Sequence, residues 1–87
     1  MKNSRARIYA QNGTKGLDIY LDISGKDYYL TTRRQNGNIW QKLKDGQTLG
    51  ELRRVKPQKS RAEQKYYHYV SHMLKIADDF IQYELAA

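Results

Sequence analysis

The sequence predicts an α+β domain, a three- to four-stranded antiparallel sheet running as a meander and packed by one long carboxy-terminal helix. Three observations carry this. Leu17, Ile19, Leu21 and Ile23 alternate with Asp18, Tyr20 and Asp22, the two-residue period of a strand with one buried face. Asn36-Gly37, which tolerates positive φ at both centres of a type I′ turn, follows a second run rich in aromatic and β-branched residues. Tyr66, Val70, Met73, Leu74, Ala77, Phe80, Ile81 and Leu85 then recur at helical spacing and form one apolar stripe.

The elements follow in order. Residues 5–10 fit a strand with Ala6, Ile8 and Ala10 inward and Arg5 and Arg7 outward, beside Asp22 and Tyr20. Residues 11–16, which include Gly13-Thr14-Lys15-Gly16, read as a mobile connection to the strand at 17–23. A hairpin about Gly25-Lys26 leads into a strand at 28–34 and places Tyr28 opposite Ile23 and Leu30 opposite Leu21. The Asn36-Gly37 turn then starts a strand at 39–44 alongside it, with Leu43 inward. Thr48-Leu49-Gly50-Glu51 has capping-box spacing and predicts a short helix near 49–55, with Leu49, Leu52 and Val55 toward the core and Gly50 weakening it. Pro57 opens a polar linker, and a second capping box, Ser60-Arg61-Ala62-Glu63, begins the long helix near 61–85. His68, His72, Lys75 and Asp79 fall on the side away from the apolar stripe.

Eighty-seven residues fit a single domain spanning 1–87. The chain has no cysteine, so no disulfide or thiolate-bound zinc supports the core. The first ten residues lack a signal-peptide apolar region and no segment has the length to span a bilayer, which together point to a cytoplasmic protein. His68 and His72 stand one helical turn apart, yet no third histidine or cysteine completes a zinc site, so neither a metal nor another cofactor is expected. Ser24-Gly25-Lys26 lacks the earlier glycine and the hydroxyl of a phosphate-binding loop, and Gly13-Thr14-Lys15-Gly16 joins strands, unlike the clamp loop of KH domains. With no paired carboxylates in an evident cleft and no base placed beside a nucleophile, the chain reads as a protein other than an enzyme.

Charge gives the functional lead. The net charge is +7, and residues 1–61 hold 14 basic and 5 acidic side chains against 2 and 4 in residues 62–87. A basic surface of this kind attracts polyanions and releases their counterions. Two regions qualify as a nucleic-acid site. The first is the outer sheet face, where Trp40 would lie across from Arg33, Lys42 from Thr31 and Lys44 from Tyr29, with Tyr20 nearby and Arg34 at the edge. Aromatic rings interleaved with cations stack bases and neutralise phosphates. The same residues also stabilise an exposed sheet, with Asp18 paired to Arg33 and Asp22 to Arg5. The second is the linker, where Arg53, Arg54, Lys56, Lys59 and Arg61 occur with no acid among them.

In its layout of strands followed by a helix, over about residues 5–80, the chain resembles the amino-terminal arm-binding domain of transposon and phage integrases, although no motif residue carries the likeness. That resemblance implies double-stranded DNA, read by a sheet in the major groove. The expectation is therefore a small basic nucleic-acid-binding accessory protein, for DNA or RNA. The alternative is a protein-interaction or regulatory module whose basic surface docks on an acidic protein partner. A homodimer through the helix or a sheet edge fits either reading, and a membrane partner fits neither.

Overall fold

The apolar positions of the alternating segments close onto one side of a four-stranded antiparallel sheet, and the carboxy-terminal helix covers them. The computed structural model describes residues 4–34, 43, 45–57 and 59–85. Strands β1 (Arg7–Asn12), β2 (Leu17–Ile23) and β3 (Lys26–Arg33) run as a meander, and a two-residue strand β4 (Gln47–Thr48) returns to the outer edge of β1, giving the order β3-β2-β1-β4. Helix α1 (Leu49–Arg53) follows directly, and α2 (Arg61–Phe80) ends in a wider π-helical turn, Ile81–Leu85. The α+β class and the sheet-plus-helix layout read from the sequence hold.

In β1 and β2, Ile8 pairs with Leu21 and Ala10 with Ile19, so one parity of both strands points inward. Ala6, Ile8, Ala10, Leu17, Ile19 and Leu21 meet Val70, Met73 and Ala77 of α2, and Leu43, Leu49 and Leu52 complete the buried cluster. Tyr66, Leu74, Phe80 and Ile81 pack around it half-buried, as do Tyr69 and Ile76, which the expected stripe did not include. Leu85, expected on that stripe, is exposed in the terminal turn.

The hairpin between β2 and β3 turns at Ser24-Gly25, not at Gly25-Lys26. Both residues have positive φ, 54° and 86°, the pattern of a type I′ turn, and the Gly25 amide donates to Asp22 Oδ1 at 3.0 Å. Tyr28 therefore pairs with Leu21 instead of Ile23. A slip of two residues keeps Tyr28 on the inner face, where its ring lies 5.7 Å from Phe80. A β-bulge then changes the parity: Tyr20 pairs with Tyr29 but Ile19 pairs with Thr31, which leaves Leu30 unmatched. Beyond it Thr32 faces outward opposite Asp18, and Arg33 lies opposite Leu17, on the helix side.

Residues 11–16, expected to be mobile, are built into the hairpin. Gln11 and Asn12 belong to β1, and the loop closes through the Gly13 amide donating to the Gly16 carbonyl at 2.7 Å. Gly16 lies so close to β3 that a Cβ there would come within 2.2 Å of the Arg33 carbonyl oxygen. The expected strand at 39–44 and the Asn36-Gly37 turn lie outside the described residues except for Leu43. That residue is buried as expected, but its carbonyl accepts from Ala10 of β1, on the far side of β2 from β3.

Half of the first capping box forms as its spacing predicts, the hydroxyl capping the backbone while the carboxylate takes the hydroxyl instead of a backbone amide. Thr48 Oγ1 accepts from the Glu51 amide at 3.1 Å and donates to the Glu51 carboxylate at 3.0 Å. Gly50 has a positional reason beyond helix propensity: its amide donates to the Ser4 carbonyl, which a Cβ would approach to 3.1 Å. Ser60 accepts the first helical bond of α2 from the Gln64 amide at 3.0 Å, while the Glu63 side chain lies outside the described residues.

Candidate nucleic-acid interface

The outer face of the sheet carries a row of tyrosines across three strands. Tyr9 and Tyr20 stack with ring centroids 5.5 Å apart, and Tyr20 meets Tyr29 edge-on at 5.8 Å. Tyr9 was missed in the sequence, although inward Ala6, Ile8 and Ala10 place it outward. Among the described residues Asp18, Asp22 and Asp27 stand around the row, with Arg7 opposite Asp22. Asp18 accepts from Thr32 Oγ1 at 2.8 Å, and Thr32 in turn hydrogen-bonds the Tyr29 hydroxyl. The Tyr9 hydroxyl has its pKa pushed up to about 12 by partial loss of solvent, then by its hydrogen bond to Asp27 and the charges of Asp27 and Asp22. Arg7 is turned toward the Asp45 carbonyl at the sheet edge.

This face differs from the one the sequence predicts. The bulge at Leu30 removes Arg33 from it, so the expected pairing of Arg33 with Asp18 does not form. Arg7, not Arg5, stands opposite Asp22. Trp40, Lys42 and Lys44 lie outside the described residues; Leu43 between them bonds to Ala10 of β1. Among the described residues the outer face is aromatic and acidic, with Tyr20 and Tyr29 engaged by ring contacts along the row.

A separate run of cations follows α1 in the chain. Arg54, Lys56, Lys59 and Arg61 are exposed in the connector and at the start of α2. Arg53 instead reaches Asp78 at 2.7 Å, a bridge that ties α1 to α2. From Arg61 the stripe continues through Lys65, His68 and His72 at helical spacing, all exposed, over roughly 17 Å of axis. Lys65 was missed, although four-three-four spacing from Arg61 is written in the sequence. Arg33 arrives from β3 and donates to His72 Nε2 at 3.0 Å. A guanidinium only donates, so this nitrogen is the acceptor of that bond. Exposed Arg34 follows at the strand end.

Two of the helix acids are engaged by basic partners. Asp78 is bound to Arg53, and Asp79 to Lys75 at 3.1 Å. An open groove of about 300 Å³ runs between Lys65, His68, Tyr69 and His72. Among the described residues no group of three or more histidines, cysteines or carboxylates is placed to hold a metal ion, and no helix is long and apolar enough to cross a membrane.

In comparisons with known proteins, the chain matches no protein family, no curated protein and no solved structure.

Proposed function

We propose that this chain is a small non-catalytic nucleic-acid-binding accessory protein that engages phosphates through the α1–α2 connector and the exposed stripe of α2. The supporting observation is the run Arg54, Lys56, Lys59, Arg61 and Lys65, exposed and outside both ion pairs found among the described residues, joined at His72 by Arg33 from the sheet. A polyanion gathers such cations by releasing its own counterions, with no need of a deep pocket. Among the described residues the outer sheet face gathers three carboxylates around its tyrosines, which oppose a phosphate there.

The decisive experiment sets polynucleotides against an acidic polypeptide. Labelled single- and double-stranded DNA and RNA are titrated at low salt, with polyaspartate as competitor at equal charge. Nucleic acid should bind and resist displacement. Failure of every polynucleotide to bind overturns the proposal, and equal displacement by polyaspartate favours docking on an acidic protein.

A further inference from the structure

We infer that the groove between Lys65, His68, Tyr69 and His72 receives one unstacked nucleotide of a single strand, its base against the Tyr69 ring and its phosphate on the cationic rim. The inference rests on the nucleic-acid reading above and adds the form of the ligand. The groove volume of about 300 Å³ is at the small end for ligand sites, enough for a unit of nucleotide size. Among the described residues its lining is a phenol ring, two imidazoles and a lysine, with no carboxylate. Tyr69 packs half-buried against the core, which fixes its ring as a platform. His72, one of the lining residues, is itself bonded by the Arg33 guanidinium.

Each feature selects for single strands. A base inside a duplex has both faces covered by its neighbours, whereas an unpaired base offers a π-face to any ring. Lys65 and Arg61, one turn apart on the same stripe, then stand where the adjoining phosphates pass.

The chain's two histidines both line the groove, so their imidazole proton resonances report on it without interference from any other histidine. The full chain is titrated with an oligodeoxythymidylate, with a hairpin duplex of equal phosphate number, and with inorganic phosphate. Saturable shifts of both histidines by the single strand, at concentrations where the duplex and phosphate leave them in place, are expected. Tyr69→Leu, which keeps apolar packing but removes the ring, should weaken single-strand binding roughly 5- to 150-fold and leave duplex binding unchanged. His68→Ala, at an exposed position, should preserve the fold and weaken the same binding, which keeps the test open if the Tyr69 variant fails to fold.

Equal shifts with inorganic phosphate reduce the groove to a simple anion site and overturn the inference, as do equal shifts with duplex. Strand binding that leaves both histidines unmoved also overturns it, while the nucleic-acid reading stands. If no polynucleotide binds at low salt, both fall together.

Discussion

Replacing Arg61 and Lys65 together by Gln removes two adjacent cations from the exposed stripe and touches neither ion pair found among the described residues. Folding should be unaffected, since a cation in the first turn opposes the helix dipole if anything. Counterion release sets the size of the effect. Five contacts, from Arg54, Lys56, Lys59, Arg61 and Lys65, give a slope of log affinity against log salt of about −3.5 on a single strand, at about −0.7 per contact. The variant retains three and should show about −2.1. Between about 50 and about 200 mM salt the parent should lose roughly 130-fold in affinity and the variant roughly 20-fold. Fluorescence anisotropy of a labelled oligonucleotide across a salt series measures both lines. Lys26→Gln, in the hairpin above the Tyr28 ring, is the control and should leave the slope unchanged. A slope unaltered by the double substitution, or altered as much by Lys26→Gln, refutes the assignment of phosphate contacts to this stripe.

Three further outcomes test the fold beneath it. Ile19→Ala deletes three carbons from a fully buried central-strand position and should cost about 3–4 kcal/mol in urea unfolding, whereas Tyr29→Ala on the outer face should cost markedly less. Thr48→Ala removes the amide cap of α1 and should cost about 1 kcal/mol, measured the same way. Tyr9 holds its proton more tightly folded than unfolded, so its contribution to stability is complete below pH 10.0 and lost as pH rises through about 12. In alkaline melts Tyr9→Phe should fall less steeply across that window than the parent.

Much of the fold was legible because its signals are local. The alternation through Leu17, Ile19 and Leu21 determines which face of β2 is buried, and Val70, Met73 and Ala77 can share a helix face in only one way. Thr48 and Glu51 announce their cap by spacing alone. The site was less legible because it depends on one backbone irregularity. Tyr28-Tyr29-Leu30-Thr31-Thr32-Arg33 reads as a plausible strand in either parity, and nothing in those side chains marks Leu30 as the residue the ladder skips. Skipping it moves Arg33 from the expected outer surface to His72. The hairpin turn misled for a related reason, since Ser24 takes up positive φ in a two-residue loop whose Gly25 amide is held by Asp22. The stripe through Arg61, Lys65, His68 and His72 was present in the spacing, but the overall acid excess of the last segment concealed it until Asp78 and Asp79 were found with basic partners.

Among the described residues, carboxylates ring the tyrosine row while an exposed cationic stripe runs along the helix, so these two surfaces meet a charged partner unequally. In the field of a nucleic acid the domain experiences a torque as well as a pull, because the aspartate side is pushed away while the helix is drawn in. Rotation before contact reduces the orientational search that ordinarily slows association. Asp18, Asp22 and Asp27, which touch no phosphate in this scheme, would then act on the rate of arrival: their replacement by Asn should slow productive encounter even as it raises the net positive charge.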